Sequence, residues 1–512
     1  MIGLVVASLV GSTATVAAEP VRPPDLVITD RGPVRGVVQD DFRLFQGIPF
    51  AEPPVGELRW RAPRPAPRWT EPLDATAPRR PCAQPSSGGF PPVVNEDCLY
   101  LNVTTPTTRG HDRLPVMVWL HGGGFLNGTG AGFDARKLAV EGGVVLVTTN
   151  YRLGALGFLA HPELTGERPG IQSGNYGLED QRAALRWVRG NAGAFGGDPH
   201  NVTVFGESAG GGSICAHLTS PAAAGLFHRA VSQSFSCAIP LVTGQQAEAD
   251  GIAFAARAGC ADLPCLRTKP AGDLLAAWTG GGLVIGGREQ PLQPAEALRT
   301  DRFHHVPLLL GNNLDERRHF VGLQFDATGR PVPADQYGPL LRALYGPAAE
   351  HILQRYPLSR FATPSIALAT VQTDAGFAVS TCDHLTSYRL ATARPRPVPV
   401  YAYQFVDRTA PPLVDVPDFD EGAAHTVELP FLFPNLFGPP LNPQQQQLST
   451  TMVKYWTNFA HHANPNGPHL PQWPRFRSSD DVLALGLGPA GIRPIDIAEA
   501  SNCAFWESLP TA

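Results

Sequence analysis

The chain has 512 residues, 43% of them hydrophobic, and a formal net charge of −5 at pH 7. This hydrophobic content is enough for a large buried core, and the slight negative charge gives no reason to expect nucleic acid or an anionic membrane as a partner. Because no linker-like tract or internal repeat divides the chain, we expect one domain over residues 19–512.

The first 18 residues are typical of a secretory signal. An apolar stretch over residues 1–10 is followed by small residues up to Ala18, although the Lys or Arg that usually begins such signals is missing. The stretch is too short for a bilayer span, which needs about 20 residues, and no other stretch is long and apolar enough. We therefore expect a secreted protein without an integral membrane segment, and the alternative is a disordered tail.

The cysteine count supports export. The eight cysteines are an even number, which fits a set of disulfides, and none of their spacings is typical of a zinc site. Spacing alone leaves the pairing undetermined. The alternative is eight buried free thiols in a cytosolic enzyme.

In chain order, residues 26–50 combine β-prone runs with turn residues and predict a small antiparallel sheet. From residue 115 onward, strands alternate with helices, which implies an α/β fold with a mainly parallel sheet and helices on both faces. The further predicted strands are 144–150, 230–233, 306–311 and 398–405, and the predicted helices are 178–188, capped by Asn175 and Gly177, and 446–461. Residues 240–300 and 320–395 fit the alternation poorly and predict helical insertions over the carboxyl edge of the sheet, where ligands bind in such folds.

A serine lies between two glycines at a predicted strand-to-helix turn. The apolar run 202–205 leads into Gly206-Glu207-Ser208-Ala209-Gly210 and then into a helix. Such a corner is the nucleophile elbow of hydrolases, which needs glycine because neighbouring backbones come too close for a Cβ. The hydroxyl would stand at a helix N-terminus, whose partial positive charge favours an oxyanion. Alone, this short pattern also occurs by chance in a chain with 53 glycines.

A second glycine segment precedes the elbow. The apolar strand at 114–120 runs into His121-Gly122-Gly123-Gly124-Phe125. In esterases such a loop supplies backbone N–H groups to an oxyanion. The alternative is a glycine-rich turn after a core strand, and the occurrence of both segments in the expected order disfavours it.

A serine nucleophile needs a base, and the base needs an acid that orients it. Hydrolases with this elbow carry the acid and then the histidine further along the chain. Asp315 and Glu316 follow the predicted strand at 306–311, and His425 lies in a loop after the strand at 398–405. These three residues are the candidates for the two roles.

Together these segments resemble the type-B carboxylesterase family, the cholinesterase-like branch of the α/β-hydrolase fold. The resemblance extends from about residue 26 to residue 506 and includes motifs outside the elbow. They are Phe-Gln-Gly-Ile-Pro-Phe-Ala at 45–51, Asn-Glu-Asp-Cys-Leu-Tyr-Leu-Asn at 95–102, Asn-Tyr-Arg at 150–152, Gly-Asn-Tyr-Gly-Leu-Glu-Asp-Gln at 174–181 and Phe-Gly-Gly-Asp-Pro at 195–199. The resemblance implies ester hydrolysis through an acyl-enzyme, without a metal or an organic cofactor.

The resemblance also implies a role for each candidate residue. Ser208 matches the nucleophile and His425 the base. Glu316 matches the acid because the family's Asp-Glu pair places its acid second, and Asp315 is the nearest alternative. His425 is singled out from the other 14 histidines only by its Gly-Ala-Ala-His-x-x-Glu-Leu context.

Around this triad, the resemblance implies an oxyanion hole and part of a pocket. The implied oxyanion donors are the backbone N–H groups of Gly123, Gly124 and Ala209. Glu207 is expected near the triad, where it would tune the electrostatics or form a hydrogen-bond bridge. Phe125 and Phe320 are expected to line an apolar pocket, with a core role as the alternative for Phe320. Arg59 and Glu96 match a structural ion pair of the family.

The resemblance further implies three disulfides, which are Cys82–Cys98 near the site entrance, Cys260–Cys265 and Cys382–Cys503. It leaves Cys215 and Cys237, which we pair because they are the two that remain.

The substrate is the least determined feature. Cholinesterases hold a quaternary ammonium group against a tryptophan of the first disulfide loop, whereas the only aromatic residue of that loop here is Phe90, so a choline ester is not expected. We expect a monomer or weak homodimer that hydrolyses short-chain or aromatic esters. The alternatives are a lipase for longer acyl chains and a non-catalytic, neuroligin-like binding protein.

The segment after the candidate acid departs from the family. Arg317, Arg318 and His319 occupy the positions after Glu316, where the family commonly has a glycine. The departure indicates either a preference for substrates that carry a carboxylate or a solvated loop, and the solvated loop is the favoured interpretation.

Overall fold

The computed structural model describes residues 23–86, 91–107, 113–393, 398–413 and 415–509. The expected signal at residues 1–18 and the ring of Phe90 lie outside these ranges. None of the helices in the described part of the chain combines the length and the apolar character that crossing a bilayer requires.

The described strands and helices alternate from β6 onward. The strands are β1 (Leu26–Ile28), β2 (Pro33–Arg35), β3 (Val37–Val38), β4 (Phe42–Pro49), β5 (Leu73–Asp74), β6 (Tyr100–Pro106), β7 (Leu114–Leu120), β8 (Val145–Thr149), β9 (Gly197–Glu207), β10 (Arg229–Gln233), β11 (Val242–Thr243), β12 (Val284–Ile285), β13 (Leu308–Asn313), β14 (Val400–Phe405), β15 (Val482–Leu485) and β16 (Arg493–Ile495). The helices are α1 (Arg136–Gly142), α2 (Gly154–Phe158), α3 (Pro162–Gly166), α4 (Tyr176–Asn191), α5 (Ala209–Thr219), α6 (Gly244–Arg257), α7 (Leu263–Thr268), α8 (Ala271–Ala277), α9 (Pro294–Arg299), α10 (Arg317–Gln324), α11 (Ala334–Tyr345), α12 (Ala349–Arg355), α13 (Pro364–Asp374), α14 (Thr381–Thr392), α15 (Pro443–His462), α16 (Ile497–Ala500) and α17 (Cys503–Ser508).

One large sheet forms the centre of the molecule. Among the described residues it has eleven strands in the order β16-β15-β14-β13-β10-β9-β7-β8-β6-β4-β3. The strands from β15 to β8 in this order run parallel to their neighbours, and the pairs at both edges are antiparallel. This topology confirms the predicted α/β fold.

Both faces of the sheet are covered. Along β7, Val116, Val118 and Leu120 belong to one buried cluster, whereas Met117 and Trp119 belong to another on the opposite face. The first cluster includes residues of α4, α5 and α14, and the second includes residues of α1 and α15. Because helices pack on both faces, an unbroken apolar run such as β7 is buried on both sides.

Residues 26–50 fold less simply than predicted. β1 and β2 pair antiparallel as expected, but the third strand of this small sheet is β5, which runs parallel to β2. β3 and β4 instead extend the edge of the large sheet. Phe45 and Ile48 on β4 are fully buried, so this strand gains a core contact that a separate small sheet could not provide.

Of the two caps predicted for the long helix, Asn175 is confirmed in position and Gly177 is not. Helix α4 begins at Tyr176, so Asn175 is its N-cap residue and Gly177 lies inside it, but the Asn175 side chain makes no bond to the first turn. The Asn175 amide instead donates to the Val284 carbonyl at 2.7 Å and accepts from the Val284 N–H at 3.0 Å. Asn175 therefore joins the start of α4 to β12 in the first insertion. Both predicted insertions are helical, with α6–α9 in the first and α10–α14 in the second.

The structure pairs the cysteines in the four expected combinations, which are the three that the resemblance implies and the pair of remaining cysteines. The disulfides in the described ranges are Cys82–Cys98, Cys215–Cys237, Cys260–Cys265 and Cys382–Cys503. All eight cysteines are described, and none of them is free.

The disulfide with the longest loop is expected to contribute most to stability. Cys382–Cys503 joins α14 to α17 with a sequence separation of 121. Because a longer closed loop restricts the unfolded chain more, we expect replacement of both cysteines with alanine to lower the free energy of unfolding by about 2–5 kcal/mol in urea titrations. The matched control opens Cys260–Cys265, whose separation is 5. A larger loss in the control would contradict this entropic account.

Candidate active site

The serine singled out in the sequence lies at a strained corner. β9 ends at Glu207, α5 begins at Ala209, and Ser208 between them has a φ of 55° and a ψ of −122°. A residue with a side chain rarely adopts a positive φ, and such strain persists only where the surroundings impose it. Here the Ser208 N–H donates to the Gln233 carbonyl at 2.9 Å, and the Ser208 carbonyl accepts from the Gly212 N–H at 2.9 Å.

The corner also requires glycine. A Cβ on Gly210 would lie 1.9 Å from the Leu120 carbonyl oxygen, and one on Gly206 would lie 2.5 Å from the same atom. Real Cβ atoms do not come so close to a backbone oxygen. The end of β7 therefore packs directly against the elbow, which brings the glycine loop after β7 beside Ser208.

The glycine loop leaves its backbone donors unoccupied. Gly123 has a φ of 99°, and a Cβ there would lie 2.1 Å from the Asn127 carbonyl oxygen. The N–H groups of Gly123, Gly124 and Ala209 donate to no other residue in the described part of the chain. Backbone donors without an internal acceptor can bind an anion, as the expected oxyanion hole requires.

A buried glutamate and histidine lie beside the elbow. The His425 Nδ1 lies 2.6 Å from Glu316 Oε2, and both side chains are buried. The other oxygen, Glu316 Oε1, accepts the Asn313 N–H at 2.7 Å. This arrangement holds the imidazole with its Nδ1–H donated to the carboxylate, which leaves Nε2 able to accept a proton.

The competing acid, Asp315, faces elsewhere. Its carboxylate accepts the Arg408 Nε at 2.8 Å and the Ala423 N–H at 3.0 Å, and it lies 3.2 Å from the Arg318 guanidinium. Asp315 therefore anchors the loop that precedes His425, whereas Glu316 contacts the imidazole.

The other side of the imidazole faces Glu207. His425 Nε2 lies 3.1 Å from Glu207 Oε1, and Ser208 Oγ forms no hydrogen bond with any described residue. The contact from serine to histidine is thus not formed in this structure. A hydrogen bond between Ser208 Oγ and His425 Nε2 would require the imidazole to exchange its contact with Glu207 for the hydroxyl.

The two carboxylates determine the charge of the imidazole. Burial disfavours the imidazolium, but the facing Glu207 and Glu316 outweigh it and raise the pKa of His425 above its ordinary value. Burial likewise raises the pKa of Glu207, although His425 opposes this. Because Glu207 and His425 lie in contact, they titrate as a coupled pair.

The sequence analysis did not predict a group of buried, hydrogen-bonded polar residues behind Glu316 and His425. Glu428 accepts a hydrogen bond from the Asn313 amide at 2.7 Å and one from the Gln233 amide at 3.1 Å. Asn313 also donates to the Ala424 carbonyl at 2.7 Å, next to His425. The signal was present, since Glu428 is the glutamate in the sequence context of His425. This group joins the loops that carry Glu316 and His425 to the strand β10.

The two aromatic pocket candidates differ in position. The Phe320 ring centre lies 4.9 Å from that of His425, and Phe320 is only partly buried. Phe125 is 7% exposed and packs on Phe158 with the ring centres 4.8 Å apart. Phe320 therefore lies beside the imidazole with part of its surface exposed, whereas Phe125 belongs mostly to the core.

The prediction of a solvated loop after Glu316 is wrong. Helix α10 begins at Arg317, and Arg318 and His319 are both buried. Arg318 is paired, since its Nη1 lies 2.8 Å from Asp420 Oδ2 and its Nη2 lies 3.2 Å from Asp315 Oδ1. These ion pairs hold the start of α10 against the loop before His425, so Arg318 is withdrawn from solvent.

Two expectations concern other polar groups. Arg59 and Glu96 form an ion pair, with Arg59 Nε 2.8 Å from Glu96 Oε2, and Arg59 also donates to the Leu266 and Lys269 carbonyls. These bonds fit the structural role expected for the pair.

Within the described ranges, no group of three or more His, Cys, Asp or Glu side chains is placed to hold a metal ion.

Comparisons with known proteins identify the family of the chain. The model of the carboxylesterase family matches residues 23–506. The chain is 36% identical to the fumonisin B1 esterase of Sphingopyxis macrogoltabida over 97% of this chain and 93% of that protein. It is 37% identical to the para-nitrobenzyl esterase of Bacillus subtilis over 88% of this chain and 92% of that protein. A solved PNB esterase structure has a TM-score of 0.78 and 35% identity, with 94% of this chain and 99% of that chain covered.

A mostly parallel sheet with a serine elbow, a glycine loop and a later glutamate and histidine defines the α/β-hydrolase class. The chain belongs to the carboxylesterase family and is a carboxylic ester hydrolase. Because a carboxylic ester hydrolase is an enzyme, the neuroligin-like binding protein is no longer an alternative.

Proposed function

We propose that the enzyme hydrolyses short-chain or aromatic carboxylic esters through an acyl-enzyme on Ser208, with His425 as the base and Glu316 as the acid. The observation that carries this proposal is the 2.6 Å contact between Glu316 Oε2 and His425 Nδ1, buried beside the elbow. The other candidate acid, Asp315, is occupied by Arg408 and Arg318.

In the first step, Ser208 Oγ attacks the ester carbonyl carbon and its proton passes to His425 Nε2. The tetrahedral intermediate collapses, and the alcohol leaves with the proton from the imidazolium. In the second step, water attacks the acyl-enzyme, His425 again takes and returns a proton, and the acid is released. Glu316 holds the imidazole in the required tautomer and stabilises the imidazolium.

The negative charge of each intermediate forms on the former carbonyl oxygen. The N–H groups of Gly123, Gly124 and Ala209 would bind it, since they have no acceptor among the described residues. Each well-placed donor of this kind contributes about 3–4 kcal/mol to the stability of the transition state. The N-terminus of α5 adds a partial positive charge at the same place.

Two observations support a small or aromatic ester. Phe320 lies against the imidazole and offers a ring to an aromatic group. The relative from Bacillus subtilis is named for an aromatic ester, para-nitrobenzyl. A lipase for longer acyl chains is the second candidate within the same chemistry.

We also propose that residues 1–18 are a secretory signal and that residues 19–512 form one domain of an exported enzyme, present as a monomer or weak homodimer. The four disulfides support export, because such bonds persist in oxidising compartments.

The acyl preference is measured with 4-nitrophenyl esters from acetate to palmitate. We expect kcat/KM to be highest for short chains. The Phe320 ring centre lies 4.9 Å from that of His425, where the ring would limit the room for a long acyl chain. Ser208→Ala provides the background for each ester. A maximum at long chains would change the proposal to a lipase, and turnover that persists in Ser208→Ala would contradict the serine mechanism.

A further inference from the structure

Arg317 occupies an unusual place beside the active site. It follows the proposed acid Glu316 and begins α10. Its guanidinium carbon lies 4.5 Å from the ring centre of Phe320 and 4.3 Å from that of Phe377, so the group is held between two aromatic rings. Its Nε donates to Gln372 Oε1 at 2.8 Å, which fixes the orientation of the planar guanidinium and its two terminal nitrogens.

This guanidinium has no acidic partner. Among the described residues, no carboxylate lies within ion-pair distance of Arg317, and its two terminal nitrogens donate no hydrogen bond. The neighbouring Arg318 is different, because both of its terminal nitrogens contact aspartates. Burial lowers the pKa of Arg317 to about 10, so the side chain still carries its charge at neutral pH. Glu316 and Tyr345 oppose this lowering of the pKa from a distance, but neither forms an ion pair with Arg317, so its terminal nitrogens have no charged partner in contact among the described residues.

The ring of Phe320 lies between Arg317 and the proposed base, His425. Phe320 contacts the Arg317 guanidinium and also lies 4.9 Å from the imidazole of His425, measured between ring centres. One phenyl ring therefore separates the unpaired cation from the proposed base. Arg317 therefore lies on the same side of the site as the imidazole, with the Phe320 ring in contact with both groups.

We propose that Arg317 binds a carboxylate carried by the substrate, so that the enzyme prefers esters with a free carboxylate over their neutral counterparts. This inference rests on the proposed function of Ser208 and His425. An arginine fork matches the geometry of a carboxylate with two parallel N–H···O bonds. The contacts with Phe320 and Phe377 and the bond to Gln372 hold the guanidinium in one orientation, so less side-chain freedom is lost when it binds a carboxylate.

The test compares two pairs of esters. In the first pair the carboxylate is on the acyl side: the mono-4-nitrophenyl ester of adipic acid and the same ester with its second carboxyl methylated. In the second pair it is on the alcohol side: 4-acetoxybenzoic acid and its methyl ester. For each pair, the ratio of kcat/KM for the free acid to that for the methyl ester is measured in wild type, Arg317→Met and Arg317→Lys.

We expect the wild type to prefer the free acid in at least one pair. The pair in which this preference appears shows whether the acyl side or the alcohol side of the ester faces Arg317. Arg317→Met should lower that ratio by about 10-fold to 100-fold, which is the effect of losing a charge-assisted bond. Arg317→Lys should retain part of the preference, because it keeps the charge but not the fork. In the wild type, higher ionic strength should also reduce the ratio.

The control is Arg330→Met, which removes an exposed arginine from the same region of the chain. It should leave both ratios unchanged. If Arg317→Met turns over both esters of each pair with unchanged ratios, the inference is overturned and the proposed function stands. If none of the four esters shows turnover that depends on Ser208, the proposed function fails, and the inference fails with it.

Discussion

Glu316→Gln is expected to lower kcat for 4-nitrophenyl acetate by about four orders of magnitude. Glu316 accepts the Nδ1–H of His425 at 2.6 Å. A glutamine offers an N–H₂ group to the same nitrogen, so the imidazole turns to the tautomer that cannot accept the serine proton. The measurement is steady-state turnover with the thermal unfolding of the variant recorded beside it.

The matched control is Asp315→Asn, at the neighbouring position. Asp315 pairs with Arg318 and Arg408, so its loss leaves the buried Arg318 with one partner fewer. We expect this variant to lower the free energy of unfolding by about 3 kcal/mol and to keep far more turnover than Glu316→Gln. The opposite order, with Asp315→Asn the less active protein, would assign the acid to Asp315.

Glu207→Gln is expected to move the pH profile of kcat/KM to lower pH. The neutral imidazole is the active form of the base, so activity is lost as pH falls through the pKa of His425. Glu207 and Glu316 hold that pKa above the ordinary value of about 6.5. The acidic midpoint of the wild type should therefore lie above about pH 6.5.

In Glu207→Gln the negative charge 3.1 Å from Nε2 is gone, so the pKa of His425 falls. We expect the acidic midpoint to decrease by about one pH unit or more. Glu428→Gln serves as the comparison, because Glu428 raises the pKa of His425 less than Glu207 or Glu316 does. Unchanged midpoints in both variants would mean that these carboxylates do not control the base.

Much of the site is predictable because its signals are local. The elbow and the glycine loop need glycine where backbones touch, and these glycines are visible as short motifs. The predicted strands before Glu316 and His425 correspond to β13 and β14, with bounds that differ by about two residues. Three disulfide pairs matched because the resemblance supplied them, and the fourth matched because only Cys215 and Cys237 remained. Eight cysteines by themselves allow many pairings.

The contacts that were not predicted join partners that are distant in sequence. Arg318 looked solvated because it stands in a run of charged residues, and its burial depends on Asp420, about one hundred positions away. Asn175 is the N-cap residue of α4 as predicted, but its amide is bonded to Val284 and not to the first turn of the helix. No local pattern contains either contact.

The sequence by itself determined the parallel α/β fold, the position of the elbow and the candidates Ser208, Glu316 and His425. Backbone conformation and strand burial are encoded within a few residues, through glycine, apolar runs and turn residues. Only the tertiary structure decided that Asp315 faces arginines, that Glu207 occupies the Nε2 side of His425, and that Arg317 lies unpaired between two rings. These features depend on which side chains the fold brings together, and Coulomb and packing forces then act on the groups in contact.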